Sequence, residues 1–334
     1  MERSPSALPR ESIGAAMAGQ SKLCRHRKGL VRELTIRKSG CSLLLNDNSR
    51  LFDAIIDPQD SNARYRCAII HCADAVLRLH FAEKLINKVF GRSLQSHAAG
   101  LVVVMHCEAQ LGLGPRPTLG LVQREMGGAR TLAAFFGLLR FAGYLTQEPV
   151  PTDARATWLV PAPPLFEGLR QWLSHHARCS EILGLAEPGL CERLQADADG
   201  LRLYLAHARD LLDRTRAAMA GDGAWAWFDR FDCGDRIGLI LLRAHHAAAS
   251  DRQDGPNWFD LGGREIAARL GVSHSHIRNV INRAEAQGLL LQDRPSGRIA
   301  LTPRLLAESE AWFRLFWGWV AETGRLAERH GGRS

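Results

Sequence analysis

The chain is expected to be mainly α-helical with small β-hairpin wings. It reads as tandem winged helix-turn-helix units around a helical, dimer-like core. Three observations carry this expectation. The stretch from Asp260 to Thr302 spells two short helices, a tight turn and a basic hairpin. An earlier stretch, Thr118 to Pro161, repeats that order. Around both run long segments with apolar residues at helical spacing.

From the N-terminus, residues 1–64 read as a basic, loosely ordered arm. Lys22, Arg25, Arg27, Lys28, Arg32, Arg37 and Lys38 make a cationic run, and Asp53, Asp57, Pro58 and Asp60 then break any periodicity. Such a run suits a solvated tail or contact with DNA phosphates. Met17 offers an alternative start for this arm.

The first unit is assigned to residues 65–180. Tyr65 to Phe90 reads as one long helix, with Ile69, Ile70, Ala73, Val76, Leu77, Phe81, Leu85, Ile86 and Val89 on a wide apolar face. Gly91-Arg92-Ser93 stops it. A second helix runs through Leu101, Val102, Val104, Met105 and Leu111, and Gly112 to Pro117 is a turn. Thr118 to Met126 then reads as a short helix, Gly127-Gly128 as a turn, and Leu132, Phe135, Phe136 and Leu139 as the inward face of the next helix. Gly143 ends that helix, Tyr144-Leu145 starts a strand, Pro149 to Ala156 forms a hairpin tip, and Trp158 to Pro161 returns. Leu165 to His176 follows as a helix.

The second unit is assigned to residues 181–334. Leu190 to Met219 reads as a long helical region, and Gly221 to Gly223 breaks it. Trp225 to Phe228 and the apolar run Ile237 to Leu242 precede the second helix-turn-helix. There, Ile266, Ala267 and Leu270 face inward on the first helix, and Gly271 allows the turn. Ser273 caps the second helix, whose inward face is Ile277, Val280, Ile281 and Ala284. Gly288 ends it, as a residue that tolerates positive φ should. Leu289 to Leu291 and Ile299 to Leu301 are hairpin strands joined by the charged turn Asp293 to Arg298. Pro303 to Glu328 is a closing helix carrying Trp312, Phe313, Phe316, Trp317 and Trp319.

The two units are related by a fixed offset. Leu132, Phe135, Phe136, Leu139 and Gly143 lie 145 positions before Ile277, Val280, Ile281, Ala284 and Gly288. The outward residues do not repeat. The later helix offers Ser275, Arg278, Asn279 and Asn282, with His274, His276 and Arg283 at its edges. The earlier one offers Arg130, Thr131 and Arg140 among Ala, Gly and Phe. The first unit therefore either makes chiefly phosphate contacts or serves as a structural partner.

The run from Leu270 to Thr302, in the last third of the chain, resembles the MarR family of bacterial transcription factors. The resemblance rests on Leu270-Gly271-Val272-Ser273, on Glu285-Ala286-Gln287-Gly288-Leu289, and on Asp293-Arg294 ahead of Arg298 and Leu301-Thr302-Pro303. It implies a bacterial, sequence-specific regulator that binds double-stranded DNA through the major groove, with possible regulation by a small-molecule effector. MarR-like proteins usually act as dimers with interlocked terminal helices. Here one chain holds two such units, so a pseudo-dimer within the chain is expected, and a homodimer is compatible with it. The helices near 67–90 and 190–219 and the C-terminal helix supply that core. The DNA-binding candidates are Ser273, His274, Ser275, His276, Arg278, Asn279, Asn282, Arg283, Arg294 and Arg298, joined by Arg130, Thr131 and Arg155 from the first unit. Arg pairs with guanine and Asn with adenine, while Arg294 and Arg298 on the wing suit phosphates or a neighbouring minor groove.

Composition agrees with such a partner without selecting it. The 334 residues carry a formal net charge of +8 and are 46% hydrophobic, enough for real cores. The eight cysteines form no CxxC pair, so reduced thiols in a cytoplasmic protein are expected. Cys67, Cys72 and Cys107 are more readily read as buried structural thiols than as sensors. No membrane-spanning segment is expected, because the aromatic run Trp312 to Val320 is short and interrupted by Arg314. No P-loop, GxSxG elbow, HExxH or dinucleotide fingerprint is present, so no enzyme activity, cofactor or metal is expected. Adjacent histidines on a helix point about 100° apart, so His175-His176 and His245-His246 do not chelate as doublets. Trp225, Trp227 and Phe228 could line an effector pocket, although core packing is the commoner use of aromatics. The rival reading is a winged-helix module that packs on other proteins.

Overall fold

The fold is a helical body carrying two small antiparallel sheets. A computed structural model describes residues 61–81, 84–128, 130–248 and 256–331, and the basic run from Lys22 to Lys38 lies outside them. Helix α1 spans Ser61–His80, α2 Lys84–Val89 and α3 Ser93–Gln110. Residues 61–64, expected in the arm, are thus the first turn of α1. The single helix expected from Tyr65 to Phe90 is two helices, and the Asn87 side chain of the second donates to the His80 carbonyl at the end of the first at 2.7 Å.

A first helix-turn-helix follows, with α4 at Leu119–Glu125 and α5 at Leu132–Phe141. Thr118 caps α4 by accepting from the Leu121 N–H at 3.3 Å. Strands β1 (Leu145–Val150) and β2 (Asp153–Pro161) form the hairpin. Its tip is tighter than expected. Val150 pairs with Asp153, and a bulge absorbs the residues between Asp153 and Thr157. Helix α6 covers Pro163–Ile182.

The long helical region expected over 190–219 is three helices: α7 (Leu190–Ala196), α8 (Ala198–Ala206) and α9 (Arg209–Met219). Asp197 separates the first two with an extended backbone, and its carboxylate caps α8 through the Asp199 N–H at 2.9 Å. Helices α10 (Ala224–Asp229) and α11 (Gly234–Ala248) lead into the second helix-turn-helix, α12 (Gly263–Leu270) and α13 (His274–Ala286). Strands β4 (Leu290–Asp293) and β5 (Arg298–Leu301) form its hairpin, and α14 runs from Pro303 to Gly331. A third strand unforeseen in the sequence, β3 (Phe259–Asp260), lies beside β5, giving the order β3-β5-β4. In the first unit that strand is reduced to one bridge, Thr118 to Trp158.

Helices α5 and α13 end in the same way. Gly143 (φ 77°) donates to the Arg140 carbonyl and Tyr144 to Leu139; Gly288 (φ 68°) donates to Glu285 and Leu289 to Ala284. Both pairs close the helix by the same left-handed turn. All four inward positions of α5 and all four of α13 are buried.

The two helices that leave the hairpins meet in the centre. Trp317 on α14 is fully buried, and its indole N–H donates to Nδ1 of His176 on α6 at 3.1 Å. The Ser180 hydroxyl donates to the Trp317 carbonyl at 2.8 Å. Tyr204 of α8 donates to the Val320 carbonyl at 3.1 Å. Helix α1 packs on α6 and on α11. The buried apolar residues form one continuous cluster across both assigned units. No described helix is long and apolar enough to cross a membrane.

Candidate nucleic-acid interface

The second helix-turn-helix is built by short-range rules. Glu265, early in α12, pairs with Arg269 one turn on, at 2.5 Å. Gly271 takes φ 71° and lets the chain reverse. The Ser273 hydroxyl accepts the His276 N–H at 3.1 Å, one of the donors that a helix start leaves open. Ile277, Val280, Ile281 and Ala284 bury one face of α13, which fixes the opposite face outward.

That outward face carries His274, Ser275, Arg278, Asn279, Asn282 and Arg283, all exposed. The side chains of Arg278 and Asn279 make no hydrogen bond or ion pair within the described residues. Asn282, Arg294 and Arg298 are engaged. Asn282 accepts from the Gln292 amide at 3.1 Å, and Gln292 also donates to Glu285 at 2.8 Å. Arg294 pairs with Glu285 at 2.8 Å, and Arg298 donates to the Trp258 carbonyl at 2.7 Å. Both arginines are exposed, so these contacts are weak and exchangeable.

His276 differs from the expectation. It is half-buried, and its Nε2 lies 2.9 Å from the Asp232 carbonyl in the bend before α11, where it acts as the donor. The same bend meets Arg283, whose guanidinium stands 5.8 Å from the Phe231 ring centre. It also meets the first unit: Arg92 pairs with Asp232 at 2.6 Å, and the Cys233 N–H donates to the Gly91 carbonyl at 2.9 Å. Asp232 was missed in the sequence because it lies 44 residues from His276 and belongs to no periodic pattern. Its place on the bend is legible only in three dimensions.

The first helix-turn-helix presents a different face. Arg130, Thr131 and Arg140 are exposed on or beside α5, and Arg155 is exposed on β2. The Arg155 backbone N–H donates to the Asp153 carboxylate at 2.9 Å. The side chains of Arg130, Arg140 and Arg155 make no hydrogen bond or ion pair within the described residues. Between these cations α5 exposes Ala133, Ala134, Gly137, Leu138 and Phe141, the last 91% exposed.

The remaining sequence candidates sit in the core. Trp225 and Phe228 are buried, and Trp225 packs edge-on against Phe313 at 4.7 Å. They line neither of two open clefts in the body. One cleft, of about 560 Å³, lies between α3, the start of α6 and α8, where His106, Phe166, Arg170, Leu201 and Arg202 face it. The other, of about 490 Å³, lies beside Tyr65, Arg66, His246 and Glu310.

The six described cysteines are all buried, and none of them forms a disulfide. Cys72 meets His176 with Sγ 3.8 Å from Nδ1, and burial pushes the thiol of its neighbour Cys179 well up. No cluster of three or more potential metal ligands occurs among the described residues. Burial, and secondarily His175, holds the His71 imidazole down at about 4. Burial is also the leading cause that holds His97, His175 and His246 at about 4. These rings are neutral packing groups at neutral pH.

No family model, no curated protein and no solved structure matches this chain.

Proposed function

We propose that the chain is a sequence-specific, MarR-like transcription regulator that binds double-stranded DNA. In this reading α12, α13 and the β4–β5 hairpin are a winged helix-turn-helix, and α4, α5 and the β1–β2 hairpin are a second one fused into the same chain. The carrying observation is the outward face of α13: a Ser-capped helix whose exposed Arg278 and Asn279 have no competing partner among the described residues. Two such side chains, one turn from the helix start, match the donor and acceptor pattern of base edges in a major groove. Arg294 and Arg298 on the adjacent hairpin turn suit phosphates. The net charge of +8 adds non-specific attraction.

The packing of α6 against α14 supports a pseudo-dimer core within one chain. The cleft of about 560 Å³ has room for a small effector, as the MarR resemblance implies.

The test is binding to random duplex DNA and to the chain's own upstream region across a salt series. The wild type is expected to prefer the upstream duplex, with a steep salt slope, and Arg278→Ala/Asn279→Ala to lose that preference. Binding that is absent at low salt, or unchanged in the double variant, refutes the proposal. The second reading, a protein-binding winged-helix module, is favoured by one observation, the apolar face of α5 with Phe141 at its end. It predicts no salt-dependent DNA binding.

A further inference from the structure

We infer that each chain carries a single base-reading head, so that one molecule recognises one unrepeated sequence element rather than two related half-sites. This rests on the DNA-binding reading above and fixes the class of duplex that the protein selects.

The argument compares two helices position by position. The offset of 145 residues that aligns their buried faces also aligns their exposed ones. Arg278 corresponds to Ala133, Asn279 to Ala134, Asn282 to Gly137, Arg283 to Leu138 and Ala286 to Phe141. All ten positions are exposed, so the correspondence is between outward faces and not between a face and a core. At Arg278, Asn279, Asn282 and Arg283 of α13, α5 has no polar group in their place, while Ser275, His276 and Glu285 correspond to Arg130, Thr131 and Arg140. Base discrimination in the major groove depends on donors and acceptors placed in pairs on one side chain. Ala133, Ala134, Gly137 and Leu138 offer none, and at most touch a thymine methyl.

The residues flanking α5 add chiefly charge, with Arg130 at the position of Ser275 and no Asn or second Arg beside it on the helix face. Arg130, Arg140 and Arg155 stand exposed around the apolar face without partners in the described residues. Cations so placed suit phosphates, which hold a protein on a duplex without reading it. The first unit thus contributes affinity and salt dependence, and α13 contributes the sequence preference.

Nothing steric forces this asymmetry. A Cβ added at Gly137 meets no atom within 4 Å, and Ala133 and Ala134 are exposed. Polar residues therefore fit on α5, and the missing head can be written back.

The experiment selects duplexes from a randomised pool with the full-length protein, counting chains per bound duplex by sedimentation. Wild type is expected to select one unrepeated element per bound chain. Arg278→Ala or Asn279→Ala is expected to weaken the selected duplex by roughly 5- to 100-fold. Arg130→Ala/Thr131→Ala is expected to weaken selected and random duplexes alike, leaving their ratio within about twofold. Ala133→Arg/Ala134→Asn/Gly137→Asn is expected to add a second element to the selected sequence. A wild-type motif with two elements bound by one chain, one of them lost in Arg130→Ala/Thr131→Ala, overturns the single head while leaving DNA recognition intact. Failure of wild type to select any sequence instead overturns the DNA-binding reading itself, and the single head with it.

Discussion

The bond between His176 and Trp317 is the most informative single target in the body, because it joins the helix that leaves the first hairpin to the helix that leaves the second. Trp317→Phe keeps an aromatic ring but removes the indole N–H. The loss has two parts: about 1 kcal/mol for the hydrogen bond, and about 1–2 kcal/mol for the void at a fully buried site. His176→Leu keeps apolar contact with Trp172 and Phe316, whose rings lie 4.2 and 4.9 Å away. It leaves the indole N–H buried without an acceptor, at a cost of about 1–3 kcal/mol. The double variant removes donor and acceptor together. It is therefore expected to cost less than the summed singles by about 1–2 kcal/mol. Urea unfolding followed by far-UV circular dichroism measures all four proteins. Costs that add to within about 0.5 kcal/mol would mean that the two groups are not coupled, and the account of this junction would fall.

Acid should destabilise the fold before most carboxylates protonate, with Asp229, raised to about 6 by burial, opposing the trend in part. His71, His97, His175 and His246 are held at about 4 in the folded protein, below the unfolded value of about 6.5. Between those values the unfolded chain binds more protons, so stability is full above pH about 6.5 and declines as pH falls towards about 4. Urea midpoints at pH about 7.5, 6 and 5 should decrease in that order, and less steeply in His71→Leu; a midpoint that rises or stays flat contradicts the burial of these rings. Gly143→Ala and Gly288→Ala should each cost about 1 kcal/mol through their left-handed backbone alone, since neither added methyl meets an atom within 4 Å. Thermal melts check this, and stabilisation by either substitution contradicts the shared helix end.

Local chemistry made much of the second helix-turn-helix legible. The Ser273 cap, the inward set from Ile277 to Ala284 and the Gly288 stop are all written within a few residues. The outward face of α13 followed from its buried one, so exposure of Arg278 and Asn279 was readable too. The division of Tyr65–Phe90 was not, because the apolar spacing runs through it without a Gly or Pro, and the Asn87 contact with the His80 carbonyl belongs to no periodic pattern. The helices between Leu190 and Met219 share an apolar rhythm that continues through Asp197, and only the cap at that residue marks the break. Strand β3 is two residues long, too short to show any alternation. The partners of His276, Asn282 and Arg298 depend on how distant segments meet, and composition and period carry no signal of that.

The bend from Phe231 to Cys233 has a consequence for any attempt to dissect the molecule. It holds the start of α13 through His276, and it is itself held from the other side by Gly91 and Arg92. Cys233 adopts φ 55°, a left-handed conformation that costs a non-glycine residue about 1–2 kcal/mol. The Gly91 carbonyl, which receives the Cys233 N–H, helps to hold it there. A fragment beginning at residue 181 would lack that anchor. Its α13 would keep the same side chains in the same order, but on a loosened mount. The outward face of α13 is thus aimed partly by residues from the opposite half of the chain.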